Sequence, residues 1–140
     1  MIVGAIQRLT GNNKLDTSLD PRAVDELGAV IANILQANAV EAVVCWDGDD
    51  EAALAQVVGC RLDVRVIRAQ ENLGLLTLDR PPTEAVRVAL IATRWGGYRP
   101  LAPLWGLVTN AGLEPVIAVS VVAGGPELHE GFPALVLEHM

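Results

Sequence analysis

The chain is poor in basic residues, aromatic rings, cysteine and long apolar runs. Its 140 residues carry 10 Lys and Arg against 17 Asp and Glu, a formal net charge of −7, and Lys14 is the sole lysine. That balance excludes backbone-driven nucleic-acid binding, which needs clustered cations, and adsorption to anionic membranes. Aromatic residues make up 4% of a chain that is 51% hydrophobic, so aliphatic side chains must build the core. The two cysteines, Cys45 and Cys60, have neither CxxC nor metal-ligand spacing and read as reduced thiols. No apolar run reaches the ~20 residues of a membrane span. The start, MIVGAIQRLTG, lacks the basic and long apolar regions of a secretory leader. A cytoplasmic protein is therefore expected. At this length a single domain, residues 1–140, buries an ordinary core without staples.

The richest stretch is Val86 to Val122, VRVALIATRWGGYRPLAPLWGLVTNAGLEPVIAVSVV. It reads as strand, loop, helix, strand. Val86 to Ala92 is an apolar, β-branched strand. The loop Thr93 to Arg99 holds two glycines, two arginines and two aromatics. Pro100 pre-sets a helix start, and Leu101, Leu104, Trp105 and Val108 recur at helical spacing. Gly112 stops the helix, and Pro115 to Val122 is a second buried strand. Trp105 is expected on the core face.

Upstream, Ile2 to Leu9 forms a short helix and Gly11 to Leu19 is turn-like. Asp20-Pro21 opens a helix with a carboxylate cap and a first-position proline. Val24, Leu27, Val30, Ile31, Ile34 and Leu35 give it an apolar stripe. Glu41 to Trp46 is a buried strand, Asp47 to Glu51 an acidic turn, Ala52 to Cys60 an Ala-rich helix, and Leu62 to Ile67 a strand. Leu73 to Leu78 is an edge strand or hairpin arm, stopped by Pro81-Pro82. After a Gly- and Pro-rich loop, Pro133 to Glu138 is a last strand. These elements predict an α/β fold: a mainly parallel sheet of about five strands, helices on both faces, and a small hood built from the termini and residues 70–82. If the strands at 41 and 86 are neighbours with crossovers winding opposite ways, the loops 46–51 and 93–99 face each other across a switch-point crevice.

At this point the order and loops resemble the type I phosphoribosyltransferases, the orotate branch most of all, from about Leu15 to Glu138. DPRAVDELGAVIANIL resembles the helix before the first sheet strand. AVVCWDGDDEAALAQVVGCRLDVRVIRA resembles the strand, pyrophosphate loop, helix and strand. The stretch 86–122 resembles the strand, phosphoribosyl-pyrophosphate (PRPP) loop, helix and strand, and FPALVLEH a late strand completing the hood. The resemblance implies a PRPP loop that starts with two acids for the ribose hydroxyls and continues as a small turn that cradles phosphate. Here the acids fall on Ala92 and Thr93, and the turn on Gly96, Gly97, Tyr98, Arg99 and Pro100. The pyrophosphate loop, neutral to basic in the family, is Asp47-Gly48-Asp49-Asp50-Glu51. Like charges at ~4 Å cost on the order of 4 kcal/mol at an effective dielectric of 20, so this loop repels pyrophosphate unless a metal reverses the sign. The region of the family's basic mobile loop, Gln70 to Pro82, has Arg80 and no lysine.

The resulting expectation is a phosphoribosyltransferase-like protein with degenerate chemistry and no assigned catalytic residue. It binds a small planar or anionic ligand, or a protein partner, at the old crevice. Candidate ligand-binding residues are Trp46, Arg94, Trp95, Gly96, Gly97, Tyr98 and Arg99. Arg94 and Arg99 suit an anion clamp or pair with the acidic loop. Trp46, Trp95 and Tyr98 form a stacking pocket, a plug for an abandoned one, or a dimer contact; family members are commonly homodimers. The alternative is an active enzyme taking PRPP with Mg²⁺ held by Asp47, Asp49 and Asp50. That run also reads as a solvated turn suited to a helix N-terminus, and it matches only part of a calcium loop. The cofactor is otherwise unassigned. His129 and His139 lack partners at metal spacing, Ser18 and Ser120 lack a nucleophile elbow, and Gly124-Gly125 reads as a turn.

Overall fold

The computed structural model describes residues 2–124 and 131–140. His129 and Gly125 lie outside them, and Gly124 is in a coil position. The elements in order are α1 (Ile2–Arg8), β1 (Thr10–Gly11), β2 (Lys14–Leu15), α2 (Pro21–Gln36), β3 (Ala42–Trp46), α3 (Asp49–Leu62), β4 (Arg65–Asn72), β5 (Leu75–Leu78), β6 (Arg87–Ala92), α4 (Leu101–Asn110), β7 (Glu114–Ser120), β8 (Ala134–Val136) and a 3₁₀ turn, Leu137–His139. Six strands form the main sheet in the order β5-β4-β3-β6-β7-β8. All neighbours are parallel except β4 and β5.

The sheet separates two apolar layers. Alternate residues of β3 divide between them: Val43 and Cys45 join α2 and α3 on one side, Val44 and Trp46 join α4 on the other. Both faces are covered, which explains why β3 and β6 read as continuous apolar runs rather than alternating ones. Asp20 caps α2 as its side chain accepts from the amides of Arg22 and Ala23, and Val24, Leu27, Ile31 and Leu35 are buried. Trp105 is only partly buried, its ring centroid 5.1 Å from that of Phe132.

Several boundaries differ from the sequence expectation. The helix expected at 52–60 starts at Asp49 and runs to Leu62, because its acidic first turn complements the helix dipole. Asp63 then ends it in the left-handed region, φ 55°. The strand expected at 62–67 therefore begins at Arg65 and continues to Asn72. Leu73 and Gly74, both at positive φ, form the turn into β5. Of the hood expected from the termini and residues 70–82, the N-terminal part, α1 and the β1–β2 ribbon, stands off the main sheet, while the other two segments join it. β5 zips antiparallel onto β4, and β8 pairs in parallel with β7, since backbone donors and acceptors of both segments find partners on the open sheet edges. Outside the sheet stand α1, which packs on α2 and the 3₁₀ turn, and the ribbon β1–β2.

Candidate ligand-binding site

The crevice forms where the winding reverses. β3 and β6 are parallel neighbours, with Ala42 opposite Val88 and Val44 opposite Leu90. From β3 the chain crosses through α3 to β4, and from β6 through α4 to β7, in opposite directions along the sheet. The loops leaving β3 and β6 consequently meet above the carboxyl ends of these strands, the usual place for a ligand in such sheets.

Three contacts join the loops. The indole Nε1 of Trp46 donates to the Pro100 carbonyl at 3.0 Å. The Glu51 carboxylate accepts from the Thr93 amide at 2.8 Å and from the Thr93 hydroxyl at 2.6 Å. Arg99 Nε lies 3.7 Å from Glu51 Oε1. Glu51 is 1% exposed and Thr93 is 4% exposed, so this is a buried acid held by a buried donor pair. Burial pushes the Glu51 pKa upward, opposed by the Thr93 hydrogen bonds and by Arg99. The acid tethers α3 to the start of the β6 loop, closing the crevice floor.

The other acidic residues diverge. Asp50 Oδ1 accepts from the Thr17 amide at 2.8 Å and the Thr17 hydroxyl at 2.7 Å, fastening the N-terminal arm to α3. Asp47 takes Gln70 Nε2 at 3.1 Å and sits 3.6 Å from Arg68. Asp49 is exposed. Among the described residues no three Asp, Glu, His or Cys side chains converge on a metal position. Asp47, Asp49 and Asp50 thus face three different surroundings instead of the one point that shared Mg²⁺ ligation requires.

In the β6 loop the expected ligand residues separate as well. Trp95 is 0% exposed and belongs to the layer beneath α4. The expectation that it stacks on a ligand does not fit a ring that is wholly buried within that apolar layer. Gly96 and Arg99 exchange backbone hydrogen bonds of 2.8 and 3.0 Å, closing a tight turn with Gly96 and Gly97 at φ 125° and 60°. The turn expels Tyr98, which is 99% exposed. Arg94 is exposed and Arg99 half-buried.

Beside these contacts opens a cleft of about 700 Å³, within the size range of small-molecule sites. Trp46, Leu76, Pro100 and Pro103 supply apolar wall, Gln70 and Asn72 supply amides, and Tyr98 stands at it. Its charged lining is Asp47, Glu51 and Glu71 against Arg99. Sequence reasoning took Glu51 as one of an acidic run that pairs with Arg94 and Arg99 or holds a metal; the Arg99 pair forms, but the contact with Thr93 was passed over. The signal was present: Glu51 lies on the stripe Glu51, Leu54, Ala55, Val58 that faces inward on α3.

No protein-family model and no curated protein matches the chain. Solved structures do. Adenine phosphoribosyltransferase from Thermoanaerobacter pseudethanolicus superposes with a TM-score of 0.80 at 11% identity, covering 98% of each chain. The fold is that of the type I phosphoribosyltransferases. The Saccharomyces cerevisiae adenine phosphoribosyltransferase, complexed with an imino-altritol bisphosphate and adenine, matches at TM-score 0.76 and 10% identity, covering 96% of this chain and 99% of that one. Leishmania donovani UMP synthase matches at TM-score 0.77 and 13% identity, over 97% of this chain and 35% of that one. Identities this low establish the fold alone. No helix among the described residues is long and apolar enough to cross a membrane.

Proposed function

We propose that this chain is a binding protein on a phosphoribosyltransferase scaffold that does not transfer phosphoribose, and that its ligand is a small planar ring held in the 700 Å³ cleft. The observation that carries the reading is the Glu51–Thr93 contact. In the family that the loops resemble, the position of Thr93 bears an acid for the ribose hydroxyls. Here its amide and hydroxyl are both engaged by an internal carboxylate. Pro100, at the N-cap of α4, brings no amide hydrogen to the helix start where such a loop cradles phosphate.

The cleft lining favours a ring without negative charge. Three carboxylates against one guanidinium repel PRPP, and they repel orotate, the ring that the sequence resemblance points to, more than they repel adenine. Adenine is named with the yeast structure and is a neutral, planar probe of suitable size. Tyr98 stands ready to cover such a ring, since its side chain has no packing to lose.

Calorimetric titration with adenine, orotate and PRPP, each with and without Mg²⁺, tests the reading. Adenine is expected to bind more tightly than orotate, and Tyr98→Ala to weaken it about tenfold, the value of one aromatic contact. PRPP is expected to give no Mg²⁺-dependent heat. Mg²⁺-dependent PRPP binding with release of pyrophosphate in the presence of a base overturns the proposal in favour of an active enzyme.

A further inference from the structure

The main sheet ends in an open strand. β5 (Leu75–Leu78) is its outermost strand on one side. Natural edge strands carry charges, prolines or bulges that discourage pairing with a further chain. The sequence Leu-Leu-Thr-Leu carries none of them. Leu73, in the turn before it, is 99% exposed, and Leu75, its first residue, is 65% exposed. The opposite edge, β8, is three residues long and directly follows Pro133.

Hydrogen-bond accounting shows what the β5 edge offers. In the antiparallel pair with β4, Leu78 lies opposite Ala69 and Leu75 opposite Asn72. The ladder runs one step further, where the Asp79 amide donates to the Arg68 carbonyl at 2.8 Å. Bonded pairs alternate with non-bonded pairs in such a ladder, so Leu75, Thr77 and Asp79 bond to β4. Leu76 and Leu78 turn their amides and carbonyls outward. Among the described residues none of these four backbone groups has a partner. The side chains of Leu76 and Leu78 are partly buried against the layer beneath α4, and Thr77 is exposed.

We infer that the β5 edge is an interface with a second copy of this chain, paired antiparallel about a twofold axis through Thr77. That register places Leu76 of each chain opposite Leu78 of the other. Both are bonded pairs that exchange two hydrogen bonds, so every outward donor and acceptor is satisfied on both strands. An axis through Leu76 or Leu78 instead pairs one of them with Gly74 or Arg80, turn residues at positive φ. The charges beyond the strand argue for a copy as well. Glu71 Oε1 accepts from the Gly74 amide at 2.7 Å, which fixes this carboxylate at the turn. The register brings Arg80 of the copy to Gly74, and Pro81 of the copy to the exposed Leu73. The Arg80 side chain is 84% exposed and pairs with its neighbour Asp79 at 3.4 Å, so it can reach Glu71. The twofold repeats this contact at the other end, as an isologous interface requires. At the axis Thr77 meets Thr77, and no like charges oppose each other.

Sedimentation equilibrium of the full chain at micromolar concentrations tests the assignment. The parent is expected to form dimers. Thr77 is exposed, so Thr77→Lys and Thr77→Glu should keep the parent's melting temperature. Each sets like charges against each other at the axis and is expected to weaken dimerisation about tenfold. An equimolar mixture of the two variants is expected to restore it, since Lys then faces Glu. Val3→Lys alters an exposed apolar residue of α1, off the main sheet, and is expected to change nothing. A monomer at every concentration would overturn the assignment and leave the edge to a strand of another protein. So would a dimer untouched by both Thr77 variants, or a mixture that stays monomeric. An equal loss from Val3→Lys would also overturn it, by moving the contact to the helical face.

Discussion

Glu51 offers the sharpest quantitative test. Its carboxylate is buried, and it satisfies two donors of Thr93 that have almost no access to water. Glu51→Ala leaves both donors orphaned. Hydrogen bonds to a charged group are worth ~1.5–3 kcal/mol each, and removal of a desolvated charge returns part of that sum. The net expectation is a loss of about 2 kcal/mol at pH 7.5, a fall in Tm of about 6–8 °C for a chain of this length. Glu51→Gln behaves differently. Its amide oxygen accepts from the Thr93 amide while its amide nitrogen donates to the Thr93 hydroxyl, which accepts as readily as it donates. That variant is expected within about 1 kcal/mol of the parent. The two also separate by pH. Burial raises the Glu51 pKa above its ordinary value of 4.5, so the folded chain takes up this proton before the unfolded chain does. Stability from this group therefore rises as pH falls through the folded pKa and levels off below 4.5. Urea denaturation at pH 7.5, 6.5 and 5.5 should show the parent gaining on Glu51→Gln with acidification. Subtracting the Gln variant removes the general relief of repulsion among the other carboxylates. A parent that loses ground to Glu51→Gln on acidification would mean that Thr93 and Arg99 outweigh desolvation, and would refute the reasoning.

Further perturbations probe the frame around the site. Asp50→Ala removes both contacts to Thr17; it should cost about 1–2 kcal/mol and speed amide exchange across residues 10–17, measured by mass spectrometry. Cys60 is exposed and Cys45 is buried, with its thiol pushed up to about 12 mainly by desolvation; a thiol reagent at pH 8 should label Cys60 at once and Cys45 only on unfolding. Gly28 lets α2 seat against Val57 of α3, where an added Cβ would collide with the valine side chain; Gly28→Ala should destabilise by about 1–3 kcal/mol. Gly106, inside α4, has open space around its Cα; Gly106→Ala should stabilise by about 0.5–1 kcal/mol, read from the same denaturation curves.

Elements whose side chains face one apolar environment were readable from sequence. The cap and stripe of α2, the runs of β3 and β6, and the glycine after α4 each have a local cause, and local causes are visible one residue at a time. The switch-point crevice was readable too, because crossover handedness turns element order into loop position. What escaped depends on partners distant in the chain. β5, read as an edge strand or hairpin arm, is both; β8 was expected in a hood, yet it pairs with the far edge of the main sheet, and nothing within ALV says which edge is free. Trp95 follows a strand at a loop, a position that reads as crevice-facing until α4 is laid over it.

The acidic loop shows the same limit with greater consequence. Four carboxylates in five residues read as one charge, to be solvated, paired or filled by a metal as a unit. In the fold they divide by helical geometry. Asp47 precedes α3 and meets Gln70 and Arg68. Asp50 and Glu51, adjacent on the first turn, point ~100° apart around the helix axis, one to the N-terminal arm and one to β6. Charge density along the chain therefore carried no information about charge density in space. This bears on function directly. Such a loop is not converted to a pyrophosphate or metal site by small motions, because Asp50 and Glu51 would first abandon hydrogen bonds worth more than an exposed ion pair. The proposed absence of phosphoribosyl transfer would accordingly be a structural commitment: Glu51, one of the carboxylates that repel a pyrophosphate, also joins the two loops of the crevice.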